Sequence, residues 1–300
     1  MNYSDAFTKN IQDTFGTTGK VWLQSLPSLI SELETTWQWK FSHPAKDLSY
    51  NFVGFGKKNV DGNEVVVKIL CPDGVLEKEL QWFQVYPDVT PKILGYDPQI
   101  RAFLMEKMSP GQSLKYLVQR GQDAEATRIL AKVIQHLGKP VDSVKAPFRH
   151  VRDFIPTLSK LHGKVPSELV HLAAFLFQDL CMTASQDVLL HGDLHHDNVL
   201  SSGDSWSVID PHGYVGDPAF EVGAMIGNPL DCYPQGDLQG ILEKRLQILS
   251  EELSWDAQRI LGWCFCYSML SAAWSVEDQQ EIPENLLRII WILGQKLSDV

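Results

Sequence analysis

The segment from Val188 to Gly213 constrains this chain more than any other. It reads Val-Leu-Leu-His-Gly-Asp-Leu-His-His-Asp-Asn-Val-Leu, then Ser-Ser-Gly-Asp-Ser-Trp-Ser, then Val-Ile-Asp-Pro-His-Gly. The run Ser202-Gly203-Asp204-Ser205 is a turn signal. It lies between the apolar strand ends Val199-Leu200 and Ser207-Val208-Ile209, so the spacing predicts a β-hairpin. Such a hairpin returns Asp210 beside Asn198, and Asn198 itself closes a short loop begun by Asp193. Each of these three residues taken alone is an ordinary polar turn residue. Together, at these intervals and framed by apolar strands, they read as one constellation.

Asp193-Leu194 followed by Asn198 has the D-L-x-x-x-N spacing of a kinase catalytic loop. The three residues divide phosphoryl transfer between them: Asp193 accepts or orients the proton of an attacking hydroxyl, while Asn198 and Asp210 hold Mg²⁺ against the phosphates of ATP. Oxygen ligands are what a small hard cation requires. His191, His195 and His196 raise a zinc alternative. Zinc prefers nitrogen and sulfur, however, and no fourth ligand of that kind stands nearby in sequence. His191 is expected to brace the loop and His195 to contact its polar network. Asp217, before Pro218, fits the N-cap of a helix from Ala219 to Ile226.

The run His191-Gly192-Asp193-Leu194-His195-His196-Asp197-Asn198-Val199-Leu200, with Ile209-Asp210-Pro211-x-Gly213 and Gly216-Asp217-Pro218, resembles the aminoglycoside phosphotransferase family, in particular its streptomycin 6-kinase and hydroxyurea phosphotransferase branch. The resemblance extends from about Trp37 to Asp278 and is sharp from Leu190 to Pro218. It implies an α+β, bilobal, protein-kinase-like fold. A small N-terminal lobe would carry an antiparallel sheet, and a larger C-terminal lobe would be mainly helical. It also implies transfer of the ATP γ-phosphate to a small-molecule hydroxyl. Two positions depart from the family pattern: Asp197 stands where relatives often have Gly, adding a negative charge close to the metal, and Glu221 stands where many carry Asp.

Upstream, Leu26, Leu29, Ile30, Leu33 and Trp37 recur at helical spacing, predicting an amphipathic helix over residues 25–39. Leu48–Lys57 and Glu64–Leu70 read as strands around Asn59-Val60-Asp61-Gly62-Asn63, a strong hairpin turn. The second strand holds one lysine, Lys68, among apolar residues. A buried strand does not tolerate an unpaired ammonium cheaply, so Lys68 is either on an exposed face or paired. Val-Val-Val-Lys-Ile resembles the V-A-I-K strand, whose lysine pairs the ATP α/β-phosphates and a helix Glu. That acid should lie on the next helix, Val75 to Val85. Glu79 matches the family position, with Glu77 as the alternative.

No G-x-G-x-x-G loop is present, and Gly54 and Gly56 fall within the strand. Ser49-Tyr50-Asn51 resembles the family's way of covering phosphates with side chains and backbone amides, which makes Ser49 and Asn51 nucleotide-binding candidates. Ile100 to Met108 reads as a further strand, followed by Pro110-Gly111. By resemblance it is the hinge between lobes, its backbone at Glu106 and Met108 bonding the adenine edge. The lobes are then 1–107 and 108–300. Helices are expected at Ala124–Leu137, Ser167–Ala184, Gly236–Glu252, Asp256–Val276 and Pro283–Leu297, with Trp255, Trp263, Trp274 and Trp291 on them and mostly in the core. By resemblance, Trp274, Glu277 and Asp278 border the acceptor pocket. Solvated acids at a helix end are the alternative reading.

Three hundred residues suit two lobes better than one core. No apolar run approaches a membrane span, and the start of the chain lacks the pattern of a signal peptide. Five cysteines without repeated spacing argue against a disulfide framework, and Cys264-Phe265-Cys266 reads as core. These features point to a cytoplasmic protein with no membrane partner. A net charge of −11 argues against a nucleic-acid partner and would draw in cationic ligands. Only seven residues separate Asp210 from Pro218, too few for the activation loop of a protein kinase. The reading is therefore an ATP- and Mg²⁺-dependent kinase of a small hydroxyl compound, which the net charge suggests is cationic and the resemblance implies is an aminoglycoside-type antibiotic such as streptomycin. A metabolic kinase of an amino alcohol or sugar, and a nucleotide-binding pseudokinase, stand as alternatives.

Overall fold

In a computed structural model describing residues 3–140, 148–232 and 237–298, the chain divides into two units. The first is Met1–Phe83 with Thr90–Met108, and the second is Gln84–Val89 with Ser109–Val300.

The first unit opens with α1 (Asp5–Trp37), capped by Ser4, whose hydroxyl accepts the Phe7 N–H at 3.2 Å. The helix is far longer than its apolar spacing predicted. Gly16, at φ 54°, breaks the helical geometry, so the two halves keep different faces and no single periodicity runs through both. Five strands follow: β1 (Trp39–Pro44), β2 (Phe52–Lys58), β3 (Glu64–Ile69), β4 (Ile93–Asp97) and β5 (Ala102–Glu106), with α2 (Leu76–Val85) between β3 and β4. They form one antiparallel sheet in the order β1-β2-β3-β5-β4.

Two differences from the sequence reading have local causes. β2 begins at Phe52 rather than Leu48, because residues 48–51 turn with Leu48 tucked into the core. β1 and β4 carry weak signals. β1 is largely exposed and ends in Pro44, and β4 contains Gly95, against which the Trp37 ring packs.

Strand alternation gives the sheet two buried faces. Val65, Val67 and Ile69 pack with Phe52, Leu104 and the α1 residues Leu26, Ile30 and Leu33. Val66 and Leu70 pack on the other side with Phe103, Met105 and the α2 residues Leu76 and Phe83. Lys68 shares this second face.

In the second unit the elements are β6 (Pro110–Ser113), α3 (Lys115–Gln119), α4 (Asp123–His136), β7 (Arg149–His150), a 3-10 stretch over Val151–Leu161, α5 (Ser167–Met182), β8 (Val188–Leu190), β9 (Val199–Ser202), β10 (Ser205–Val208), β11 (Tyr214–Gly216), α6 (Val222–Ile226), α7 (Leu238–Leu253), α8 (Ala257–Glu277) and α9 (Glu284–Ser298). Of the expected helix Gly236–Glu252, Gly236 lies outside the described residues. α8 is buried almost all round, from Ile260 to Leu270, as a central helix must be. It packs against α5, α6, α7 and α9. Cys264 and Cys266 are part of this core, and burial pushes both thiols up. Two tryptophans depart from expectation: Trp255 lies between α7 and α8, and Trp291 on α9 is 55% exposed. No helix among the described residues is long and apolar enough to cross a membrane.

Candidate active site

In the first unit Lys68 is 3% exposed and Glu79 8%. Lys68 Nζ donates to Glu79 Oε1 at 2.6 Å and sits 5.9 Å from the Phe103 ring centroid. The exposed-face reading of Lys68 therefore falls, and Glu77, the alternative acid, is exposed. An ion pair this deep loses much of its Coulombic gain to desolvation, so stability alone does not account for it. The Asn51 side chain accepts the Cys71 N–H at 3.0 Å, tying the turn before β2 to the end of β3 and leaving its NH₂ as the donating group. Ser49 is exposed in the same turn. Gly54 and Gly56 serve close packing, since a Cβ would lie 2.7 Å from the Phe41 ring or 2.3 Å from the Lys40 carbonyl. At the end of β5, the Glu106 N–H donates to the Lys92 carbonyl and its carboxylate accepts the Lys92 N–H, both at 3.0 Å. Met108 is buried.

In the second unit the predicted hairpin forms as β9–β10, with Ser202 opposite Ser205 and Gly203 at φ 58° in the turn. The Ile209 N–H donates to the Asn198 carbonyl at 3.0 Å, which brings Asp210 next to Asn198. Asp210 itself lies at φ 59°. Such a backbone costs on the order of 1–3 kcal/mol in a non-glycine residue and gathers at functional positions.

Asp193 is enclosed by donors. The Tyr267 hydroxyl donates to Oδ1 at 3.1 Å. Around Oδ2 stand Asn198 Nδ2 at 3.4 Å, His195 Nε2 at 3.5 Å and His212 Nε2 at 3.8 Å. Burial works to raise the pKa of Asp193. The hydrogen bond and charge of His195, with the charge of His212, outweigh it and bring the carboxyl to about 2. The same partnership raises His195 against its own burial. Asn198 Nδ2 also donates to the Asp193 carbonyl at 2.9 Å, so its Oδ1 is the atom left to ligate. His191 braces the loop: Nε2 donates to the Ile209 carbonyl at 2.9 Å, and Nδ1 accepts the Asp193 N–H at 3.3 Å. Burial pushes this imidazole down to about 4, so it is neutral. Asp197 is exposed, with Ser113 Oγ 3.5 Å from its carboxylate. Among the described residues no group of three or more His, Cys, Asp and Glu is placed to hold a metal. Asn198 and Asp210 form a two-oxygen set, which fits Mg²⁺, a cation that takes one or two protein ligands and completes its shell with phosphates and water.

Of the acceptor-side candidates, Trp274 is half-buried and meets Phe154 and Tyr267 edge-on at 5.4 and 5.9 Å. Glu277 is exposed and ion-paired with Lys160 at 2.7 Å. Asp278 caps α8, and its carboxyl is raised by partial burial and the Glu277 charge.

The sequence profile of the aminoglycoside/hydroxyurea antibiotic resistance kinases matches residues 56–279. The chain belongs to this family. It is 34% identical over 182 residues to a streptomycin 3''-kinase of Klebsiella pneumoniae, covering 59% of this chain and 67% of that one. It is 26% identical to a streptomycin 6-kinase of Streptomyces glaucescens, covering 88% and 87%. A solved choline kinase, LicA of Streptococcus pneumoniae, shares the fold at a TM-score of 0.64 and 12% identity, covering 92% and 100%. The protein is a small-molecule kinase with the kinase-like fold.

This antibiotic resistance kinase carries supporting contacts that its sequence did not single out. Glu221, noted only as a departure from the family pattern, is buried and accepts the backbone N–H of His191, and that of Gly192 at 3.2 Å. Burial pushes its carboxyl up to about 7 against those two hydrogen bonds. Asp217 is the expected cap, through the Ala219 N–H at 3.0 Å, but what it caps is a 3-10 turn, Pro218–Glu221, that leads into α6 rather than one helix from Ala219 to Ile226; it also accepts from Arg259 Nε at 2.7 Å and Trp263 Nε1 at 2.5 Å. Tyr267 comes from α8, far along the chain. Apart from the Asp217 cap, none of these contacts leaves a spacing signal, because each joins elements distant in sequence.

Proposed function

We propose that this kinase phosphorylates a cationic, aminoglycoside-type acceptor such as streptomycin. Two supports meet here: the likeness to streptomycin kinases along most of the chain, and the enclosure of Asp193. The first carries the acceptor class and the second the role of the base. An ionised carboxylate held by a tyrosine, an asparagine and two histidines is a base kept in its working form. In this reading Asp193 takes the proton of the acceptor hydroxyl as its oxygen attacks the γ-phosphorus. Lys68, oriented by Glu79, engages the α/β-phosphates of ATP. Ser49 and the Asn51 amide cover the phosphates, and the backbone carbonyl of Glu106 and N–H of Met108 meet the adenine edge. Asn198 Oδ1 and Asp210 would hold Mg²⁺, which when bound neutralises charge on the phosphates. Glu277 is already paired with Lys160, so Asp278, beside Trp274, is the acid that faces an incoming cation. In this reading the protein works in the cytoplasm, where ATP is available.

A coupled ADP-release screen across aminoglycosides, hydroxyurea, amino alcohols and sugars tests the acceptor. Streptomycin should give the highest kcat/KM. Efficient turnover confined to neutral or anionic hydroxyl compounds would remove the cationic-acceptor reading and leave the kinase.

A further inference from the structure

α8 aligns two polar-tipped aromatics toward the catalytic loop. Trp263 reaches Asp217, and one turn later Tyr267 reaches Asp193. Tyr267 is 6% exposed. Its ring lies edge-on to Phe220 at 5.4 Å and to Trp274 at 5.9 Å. Its seat depends on a gap in α6: a Cβ at Gly223 would stand 2.3 Å from the Tyr267 Cβ. The ring is thus held on three sides, and the hydroxyl emerges where it can meet the loop.

A buried tyrosine hydroxyl needs a partner, and the Gly192 carbonyl at 3.3 Å would meet that need. The Asp193 carboxylate is nearer, at 3.1 Å, and an ionised acceptor makes the stronger bond. The two carboxylate oxygens are not equivalent. Among the described residues Tyr267 is the donor at hydrogen-bond distance from Oδ1. The three groups around Oδ2 stand at 3.4, 3.5 and 3.8 Å, longer than ordinary hydrogen bonds. The outermost of them, His212, is exposed. One oxygen is anchored from the core and the other is loosely engaged on the accessible side.

We propose that Tyr267 is a positioning residue for phosphoryl transfer: its hydroxyl clamps Oδ1 of Asp193 so that Oδ2 is presented as the proton-accepting oxygen. The inference rests on Asp193 being the base. In the step it serves, the acceptor oxygen forms a bond to the γ-phosphorus as its proton passes to Oδ2. The bond from the γ-phosphorus to the β,γ-bridging oxygen breaks and ADP leaves. Tyr267 keeps its own proton throughout. Burial first, and then the Asp193 charge, hold the phenol well above its usual range.

Tyr267→Phe separates the hydroxyl from the ring that packs. With streptomycin as acceptor, kcat should fall about 10- to 100-fold, the worth of a hydrogen bond to a charged group. KM for Mg·ATP and for streptomycin, and the thermal midpoint, should stay close to wild type. A kcat within about threefold of wild type, or KM and thermal midpoint changing as much as kcat, would make the residue a packing residue only. A second measurement does not depend on the acceptor. Crystal structures of wild type and Tyr267→Phe should show the Asp193 carboxylate turned from its wild-type orientation in the variant. An unmoved carboxylate overturns the clamp. Absence of streptomycin turnover in the wild type would count against the acceptor reading instead, and the crystallographic comparison would still decide the role of Tyr267.

Discussion

Asp193 and Asp210 are both carboxylates near one loop, yet their surroundings assign them different work. Asp193 faces donors that keep it ionised, whereas Asp210 stands on a left-handed backbone beside Asn198. Replacing each by alanine should therefore fail in different ways. Asp193→Ala should lower turnover by about 10²–10⁴, the usual worth of a positioned base, with ATP binding nearly intact. Asp210→Ala should weaken Mg·ATP far more than adenosine. Calorimetric titration of both ligands into both variants checks this. Equal losses for Mg·ATP and adenosine in Asp210→Ala would detach that residue from the metal.

Elements carry the next level of control. β9–β10 presents Asn198 and Asp210, the proposed ligand pair, but the loop it extends is held from behind by Glu221, at the junction with α6. Its carboxyl, pushed up to about 7, retains a proton in the folded state over a range where the unfolded chain has lost it. The folded pKa lies above the ordinary value of 4.5, so this group favours folding fully below that value, and the benefit is lost as pH rises toward 7. His191, pushed down to about 4 by burial, has the opposite slope and masks the effect in the wild type. Subtracting a Glu221→Gln variant removes the masking. The difference in unfolding free energy, wild type minus variant, should decline from about pH 4.5 to 7 and then level off. Urea unfolding across that range is the check, and a flat difference would mean that Glu221 is ionised in the folded protein. α8 shows the same economy of support, since Trp263 and Tyr267 tie one helix to Asp217 and Asp193.

At the scale of the whole molecule, an excess of acidic residues, 37 against 26 Lys and Arg, sets a negative field. That field attracts cations and is screened by salt. KM for streptomycin should rise with ionic strength while kcat changes little. Asp278→Asn should raise KM more than Glu277→Gln, because Lys160 already neutralises Glu277. Steady-state kinetics from low to high salt tests both statements, and equal effects of the two substitutions would remove Asp278 from the acceptor side.

What the sequence determined by itself was local. The turn at Ser202–Ser205, the loop from Asp193 to Asn198 and the Val-Val-Val-Lys strand each depend on residues close in the chain, and spacing and alternation report such arrangements directly. The hairpin followed from them, whereas the choice of Glu79 over Glu77 as the partner of Lys68 came from the family resemblance. Tertiary structure decided whatever joins distant segments. Glu221 under the loop, Arg259 and Trp263 on Asp217, Lys160 on Glu277 and Tyr267 on Asp193 come together only when the helices pack. The long α1 and the strands β1 and β4 belong to the same class. A kinked helix has no single period, and strands with exposed or glycine positions show their alternation only against the partners that bury them.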